Sequence, residues 1–319
     1  FIFTVVGGLM GCSPADTERP LTYVDKPPAD SAPVYRLAVH PLYNPHKLTE
    51  IYRPLINYLN ARIPGVRMEV EASRDYAAYE AKIRNAGPAF LLPNPLQTLL
   101  AQQSGYQVIA MAGDPKDFKG IFIVRKDSGI RKPEDLKGKA VSYPSPTALA
   151  AAIMPQAFLH SQGLRVMQDI ENQYVGSQES AILNTYMGTS AAAATWPPPW
   201  RVFQKDHPEE AAQLQQIWET PHLINNSVMV HARVPEKLAK EVQALLLGLN
   251  QSPEGKQILQ SLETAVFAAA DGARKLSAAW LIEQGLPEAC DCSLAIAPIS
   301  HCGPAETPMR KPVIAWLLE

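Results

Sequence analysis

The sequence has no excess of basic residues and no recognisable catalytic signature. Lys and Arg together number 29 against 31 Asp and Glu, which gives a formal net charge of −2. Because a nucleic-acid-binding surface needs a basic face, this balance argues against a nucleic-acid partner. The Ser-His-Asp, Cys-His, phosphate-loop and HExxH patterns of common enzymes are also absent from the sequence. We therefore expect a protein that is not an enzyme and needs no cofactor.

The start of the chain lacks an apolar run long enough to span a bilayer. Residues 1–11 are apolar but too few for a transmembrane helix, and they lead directly into Cys12. The motif Leu9-Met10-Gly11-Cys12 resembles a bacterial lipobox, in which the cysteine becomes the acylated first residue of the mature protein. We expect residues 1–12 to be a lipoprotein signal peptide whose basic beginning is missing. The alternative is an ordinary signal peptide or a chance apolar start.

Neither end of the chain carries the patterning of a folded domain. Residues 13–34 are rich in Pro, Asp, Thr and Ser, which is typical of a disordered tether. We expect residues 289–319 to form an irregular tail, which contains three of the four cysteines: Cys290, Cys292 and Cys302. Together with His301 these are ligand types of zinc or copper sites. The Pro- and Ala-rich segment fits a disordered tail, or one disulfide with a spare thiol, better, and we expect no metal site.

The segment between these ends alternates between strand and helix patterns. Tyr35–His40 and Val66–Ala72 alternate apolar and polar residues as strands do, whereas Lys47–Ile63 places apolar residues at helical spacing. Repeated alternation of this kind predicts an α/β fold with a parallel sheet. The length of 319 residues is sufficient for two lobes with separate cores.

Further along the chain, two short strands lead into a helix start. Gly120–Val124 and Ala140–Tyr143 are rich in β-branched and aromatic residues. Ser145 is then a suitable N-cap residue and Pro146 suits the first helical position, so we expect a helix to begin there. A strand that leads into a helix start directs unpaired N–H groups at a cleft, which is a common position for an anion or a polar ligand group.

Several short motifs carry a resemblance to a known family. They include DSGI at residues 127–130, PEDLKGK at 133–139, HPLYNP at 40–45, YRPL at 52–55 and VGSQES at 175–180. In this order the chain from Tyr35 to Leu262 resembles the phosphate, phosphite and phosphonate-binding family of type II periplasmic solute-binding proteins, which serve ABC importers.

The resemblance implies a fold and a function. It implies a two-lobed α/β fold with a hinge of two crossing strands, near Ile123 and Val230. The first lobe is then formed by residues 35–123 with 222–288, and the second by residues 124–221. The implied protein is a monomeric, lipid-anchored periplasmic lipoprotein that passes a small-molecule ligand to an ABC permease. The alternative is the sensory input domain of a signalling system, fused to or partnered with a histidine kinase. The apolar residues 309–319 resemble the start of a membrane segment that would link the two in the fused form.

The resemblance fails at the positions that hold the anion. In the family, tyrosine hydroxyls, a Ser-Thr-Ser cluster, a His-Glu pair and an aspartate bind it. The matching positions here are expected to be Leu92 and Phe118 for the tyrosines, Ala148, Leu149 and Ala150 for the hydroxyls, Gln178 for the histidine and Ala191 for the aspartate, whereas Glu179 is kept. Each lost contact to a bound anion costs about 1.5–3 kcal/mol, so we expect weak phosphonate binding.

Other polar and aromatic groups indicate a changed ligand instead. The predicted ligand-binding residues are Tyr43, Asn44, Asn94, Gln97, Phe118, Tyr143, Ser145, Thr147, Ala148, Gln178, Glu179 and Trp196. Amide-rich donors suit a neutral or weakly charged organic molecule, or an oxyanion, better than a phosphonate dianion. The alternative for the polar residues is helix capping or turn formation. For the segment from Trp196 to Trp200 the choice lies between an aromatic wall and a stiff surface turn.

Overall fold

The computed structural model describes residues 32–270. The predicted signal peptide with Cys12, most of the predicted tether and the cysteine-bearing tail lie outside this range. Residues 271–288, predicted as part of the first lobe, lie outside it as well. The tether was predicted to extend to residue 34, but the first strand already begins at Val34.

The described strands form two sheets. They are β1 (Val34–Val39), β2 (Arg67–Glu71), β3 (Phe90–Leu92), β4 (Tyr106–Ala112), β5 (Ile121–Arg125), β6 (Lys139–Tyr143), β7 (Ile170–Tyr174), β8 (Ala192–Thr195), β9 (Leu214–Glu219), β10 (Ser227–His231) and β11 (Phe267–Ala268). One sheet has the order β11-β4-β10-β3-β1-β2, and the other has the order β7-β6-β8-β5-β9. Parallel pairs join β1 to β2 and β3, and β6 to β7 and β8.

Helices cover both sheets. They are α1 (Pro45–Asn60), α2 (Tyr76–Arg84), α3 (Pro95–Gln103), α4 (Met154–Ser161), α5 (Val166–Asp169), α6 (Gln178–Tyr186), α7 (Pro197–Asp206), α8 (Pro208–Ala211), α9 (Glu236–Leu247) and α10 (Pro253–Ser261). Helix α1 shows why they pack as they do, because Leu48, Tyr52 and Leu55 recur on one face and are buried. Within residues 32–270, no helix has the length and apolar character needed to cross a membrane.

We call the six-stranded sheet with α1–α3, α9 and α10 the first lobe, and the five-stranded sheet with α4–α8 the second lobe. The first lobe packs α1 against β2, α3 and α9 against β4, and α10 against α1. The second lobe packs α6 against β5, β6 and β8. Each sheet therefore has its own covering helices, as expected for a two-lobed α/β protein.

Two crossing segments connect the lobes. One is residues 113–120, between β4 and β5, and the other is residues 220–226, between β9 and β10. They bind each other: the backbone N–H of Thr220 donates to the Gly120 carbonyl over 2.9 Å, and that of Leu223 donates to the Phe118 carbonyl over 2.9 Å. The crossings were predicted near Ile123 and Val230, but these residues lie inside β5 and β10, so the predicted positions were wrong by a few residues.

The predicted helix start at Ser145 is also wrong. Ser145 and Thr147 instead form a turn, in which the Thr147 N–H donates to Ser145 Oγ over 3.3 Å. The helical segment begins at Leu149 as a π-helical turn, Leu149–Ile153, before α4 continues it. The Ala148 carbonyl accepts from both Ala152 N (2.7 Å) and Ile153 N (3.3 Å). Such π-helical turns are frequent at functional sites.

Candidate functional site

Polar side chains of the two lobes meet beside the carboxyl ends of their parallel strands. Asn94 follows β3 of the first lobe, and its Nδ2 donates to the Thr147 carbonyl, which follows β6 of the second lobe, over 3.5 Å. Gln178, at the start of α6 in the second lobe, donates from Nε2 to the Tyr76 hydroxyl of the first lobe over 3.4 Å. In open α/β sheets ligands bind outside the carboxyl ends of the strands, so this contact region is the candidate site.

Asn94 and Gln97 have both a structural and an interlobe role. They form a capping box at the start of α3: Gln97 N donates to Asn94 Oδ1 over 2.9 Å, and Asn94 N donates to Gln97 Oε1 over 3.3 Å. Both side chains are buried, and their remaining amide N–H groups point to Thr147 and to Glu80. The capping alternative therefore holds for these residues, and each still presents a donor at the candidate site.

Glu80 is a buried carboxylate that the sequence analysis did not select. It lies on α2 with an exposed fraction of 2%, and its Oε1 accepts from Gln97 Nε2 over 3.3 Å. Burial raises the pKa of Glu80, while the nearby Thr147 hydroxyl and the hydrogen bond from Gln97 act in the opposite direction. The sequence contained a signal for this position, because Glu80 is four residues after Tyr76 and three before Ile83, on the buried face of α2.

Gln178 connects two groups at the site. Its Oε1 accepts from the Thr195 hydroxyl over 2.8 Å, while its Nε2 donates to Tyr76. Burial raises the pKa of Tyr76 well above its usual value, so the hydroxyl stays protonated at neutral pH. We call the cluster of Tyr76, Glu80, Asn94, Gln97, Thr147 and Gln178 the interlobe site.

Ser145 and Ala148 flank Thr147 in the second lobe. Ser145 Oγ lies 3.2 Å from Thr147 Oγ1, and both Thr147 and Ala148 are buried. Ala148 precedes the π-helical turn without a side chain that caps it. The backbone N–H groups at the start of this turn are therefore not satisfied by a capping side chain.

Phe118 and Trp196 form an aromatic contact between a crossing segment and the second lobe. Their ring centroids are 5.6 Å apart, and both side chains are buried. The prolines after Trp196 form the first turn of α7, and Trp200 stacks on Phe203 at 5.8 Å. The surface turn is thus wrong, since the segment is a helix start whose tryptophans are both buried, while the aromatic wall stays a prediction.

Tyr43 and Asn44 lie at the start of α1. Asn44 is exposed and caps the helix, because its Oδ1 accepts from Lys47 N over 3.0 Å. Tyr43 is buried, and Lys47 Nζ lies 5.5 Å from the centre of its ring. Burial raises the pKa of Tyr43, and charges of both lobes affect it, including Glu263, Arg201 and Asp206. Tyr43 therefore lies near the contact of the lobes, whereas Asn44 has the capping role.

Tyr143 and Glu179 make their described contacts within the second lobe. The fully buried ring of Tyr143 lies 5.7 Å from that of Tyr174, and burial raises its pKa beyond the usual range. Glu179 Oε1 lies 2.9 Å from His207 Nε2, with both side chains about one-third exposed. Neither residue belongs to the interlobe site as defined above.

Charged side chains join the lobes around this site. Lys47 of the first lobe forms an ion pair with Asp206 of the second. Arg201, on α7, donates from Nε to Glu263 over 2.9 Å, and from both terminal nitrogens to the Asp117 carboxylate over 2.9 and 3.2 Å. These pairs hold α7 against the first lobe and a crossing segment. Among residues 32–270 no three His, Cys, Asp or Glu side chains are grouped as a metal site.

A family model covers most of the chain. The model of phosphonate periplasmic substrate-binding proteins of ABC transporters matches residues 37–274. The chain belongs to this family. The predicted resemblance is thereby confirmed, and membership in a family of substrate-binding proteins agrees with the expectation that the protein is not an enzyme.

Individual members of this family share the fold of the chain at low sequence identity. A probable ABC transporter phosphite-binding protein of Prochlorococcus marinus is 25% identical over 177 residues, which are 51% of this chain and 60% of that protein. Its solved structure, a complex with methylphosphonate, has a TM-score of 0.71 at 20% identity and covers 80% of this chain and 99% of the other. A binding-protein component of an ABC phosphonate transporter from Pseudomonas aeruginosa has a TM-score of 0.71 at 17% identity, and covers 80% and 87% of the two chains. The predicted two-lobed type II fold is confirmed.

One position that the resemblance matched to a ligand-binding residue of the family was wrong. Ala191 was placed where the family keeps an aspartate, but it precedes β8, and its N–H donates to the Ala140 carbonyl over 2.8 Å. Since β8 runs parallel to β6, Ala191 lies at the end of the sheet opposite the interlobe site. Thr195 and Trp196 occupy the end of β8 near the site instead, and Thr195 contacts Gln178.

Proposed function

We propose that this protein captures a small polar solute between its two lobes and delivers it to an ABC importer. The observation that carries the proposal is the interlobe site, in which buried amide, hydroxyl and carboxyl groups of both lobes converge beside two crossing segments. Family membership supports the same role. A ligand held by both lobes favours the closed arrangement, which a permease distinguishes from the open one.

The ligand is a neutral or weakly charged organic molecule, or an oxyanion held by amide and backbone N–H groups. Support comes from the chemistry of the site, because Asn94, Gln97 and Gln178 supply amides where a bound dianion would favour positive charge. Methylphosphonate and phosphite are expected to bind weakly.

A thermal-shift screen of phosphonates, oxyanions and small organic solutes tests the capture of a ligand. A ligand at 100 times its dissociation constant adds about 2.7 kcal/mol to the free energy of unfolding. A solute that stabilises the protein should also lower the radius of gyration in small-angle scattering as the lobes close. The variant Gln178→Ala should lose the stabilisation, whereas Gln257→Ala, on an exposed position of α10, should keep it. Stabilisation without a change in radius, or one unaffected by Gln178→Ala, would contradict capture between the lobes.

The lipid anchor and the sensor role rest on segments outside the described residues. We propose that Cys12 is acylated, which the Leu9-Met10-Gly11-Cys12 motif supports. Membrane fractionation of the protein with its complete signal, with and without Cys12→Ser, tests this: retention of the variant in the membrane fraction would refute it. The sensor alternative is supported by the apolar residues 309–319 alone; a histidine kinase gene beside this one, in place of permease and ATPase genes, would favour it.

A further inference from the structure

Glu80 has an unusual position for an acidic residue. It is the only Asp or Glu among residues 32–270 that is buried, with an exposed fraction of 2%. It belongs to α2 of the first lobe, but the Thr147 hydroxyl of the second lobe lies near enough to lower the pKa of its carboxyl group. The carboxylate is therefore enclosed between the lobes and is part of the interlobe site.

One oxygen of this carboxylate has no hydrogen-bond donor. Oε1 accepts from Gln97 on α3, but Oε2 has no hydrogen-bond partner among the described residues. The half-exposed guanidinium of Arg84 lies 3.9 Å from Oε2, which is beyond hydrogen-bond length. A buried carboxylate oxygen without a donor is a costly arrangement, which a bound donor group or a proton on the carboxyl group relieves.

The other groups around Glu80 do not neutralise it fully. Asp75, the N-cap residue of α2, adds a second negative charge and Tyr76 is protonated, while Arg84 supplies a positive charge that faces the carboxylate. On α3 and in the second lobe, Gln97 and Thr147 contribute only neutral donors. Thr147 precedes Ala148, the N-cap residue of the π-helical turn, where backbone N–H groups favour an anion. An anionic ligand at that turn would lie close to Glu80.

We infer that Glu80 determines the charge of the ligand that the interlobe site accepts. A ligand binds there by donating an N–H or O–H group to Oε2, and a phosphonate-type dianion binds only when Glu80 carries a proton. Glu80 is thus a specificity-determining residue for the capture role proposed above, on which this inference rests. Its effect on anions depends on pH: burial raises the pKa of Glu80, so its protonated fraction, and with it the affinity for an anion, increases as the pH falls.

Calorimetric titration with methylphosphonate tests this inference. At about pH 8, Glu80→Gln should bind methylphosphonate at least about 100-fold more tightly than the unchanged protein, equivalent to about 2.7 kcal/mol. Glu80→Asp retains the charge but frees space, and should bind no more tightly than the unchanged protein. Glu241→Gln removes an exposed carboxylate of α9 and serves as the matched control. Circular dichroism and thermal unfolding establish that each variant is folded.

A second readout is the pH dependence of the same titration. As the pH falls from about 8 to about 5.5, the affinity of the unchanged protein for methylphosphonate should rise more than that of Glu80→Gln. In this variant residue 80 no longer titrates, so the change in affinity reflects the protonation of the ligand itself. Equal gains in Glu80→Asp and Glu80→Gln would overturn the inference, because added space and not lost charge would then explain them. Absence of methylphosphonate binding by every variant would overturn it too, while the capture role would still be decided by the solute screen.

Discussion

At the scale of single residues, His40 makes the clearest prediction of pH dependence. It is buried at the end of β1, and its Nδ1–H donates to the Leu92 carbonyl over 2.8 Å. Burial lowers the pKa of His40 from 6.5 to about 4. Between these values the unfolded chain binds a proton that the folded protein does not, so the contribution of His40 to stability is complete above pH 6.5 and is lost as the pH falls towards 4. The loss should reach about 3 kcal/mol.

Urea unfolding as a function of pH measures this effect. His40→Gln keeps a donor for the Leu92 carbonyl but cannot be protonated, and should remove most of this pH dependence. His46→Gln is the matched control, because His46 lies on the same lobe with 84% of its side chain exposed. An identical pH profile for His40→Gln and the unchanged protein would show that another group causes the acid sensitivity.

Residue identity alone predicted part of the site. Asn94, Gln97, Thr147 and Gln178 were selected from the sequence, and the structure brings them together. Glu80 and Tyr76 were not selected, because a polar residue within an amphipathic helix does not reveal which other element covers it. Ala191 was misplaced for a related reason, since a resemblance in sequence does not fix where a short strand begins.

At the scale of elements, alternating patterns predicted strands and helices well, whereas connections were less predictable. The buried apolar stripe of α1 and the β-branched residues of β5 depend on local spacing, which sequence shows directly. The turn at Ser145 contains residues that favour a helix start, yet the helix begins only at Leu149. The Thr147 N–H donates to Ser145 Oγ within the turn, and the Thr147 carbonyl accepts from Asn94 of the first lobe, a contact that local preference does not determine.

Gly113, at the start of the first crossing segment, has a backbone conformation that its neighbours require. Its φ is +92°, and a Cβ atom there would lie 2.4 Å from Asn225 Nδ2. That amide donates to the Asp114 carbonyl over 2.7 Å and so joins the two crossing segments. Gly113→Ala should destabilise the protein by about 1–2 kcal/mol through its positive φ, and by at least about 1 kcal/mol more through displacement of Asn225.

Gly129→Ala separates these two contributions. Gly129 has a φ of +73°, but a Cβ there would meet no atom within 4 Å, so only the conformational cost applies. Denaturant unfolding of both variants gives the difference. Equal destabilisation by the two substitutions would mean that Asn225 moves without cost and does not join the crossing segments.

At the scale of the whole molecule, the two lobes are held together by polar contacts and ion pairs at their facing edges. Lys47 and Asp206 form such a pair, with exposed side-chain fractions of 24% and 36%. Exposed pairs contribute little to the stability of a fold, about 0–1 kcal/mol. A pair between two lobes has a further effect, because it changes the equilibrium between open and closed arrangements, and with it the apparent affinity for a ligand.

Exchange of the two charges tests whether this pair stabilises closure. Lys47→Asp places two carboxylates opposite each other, and Asp206→Lys places two amines there. Each substitution should raise the radius of gyration in small-angle scattering. Each should also lower the affinity for a ligand identified by the screen by about tenfold, or about 1.4 kcal/mol. The double variant restores the attraction and should recover most of the affinity. Lys47 also contacts the Tyr43 ring, so the single substitution removes more than the ion pair. The double-mutant cycle isolates the pair from that contact. If the double variant binds no better than the sum of the single effects predicts, the ion pair does not hold the lobes closed, and closure depends on the interlobe site and Arg201 instead.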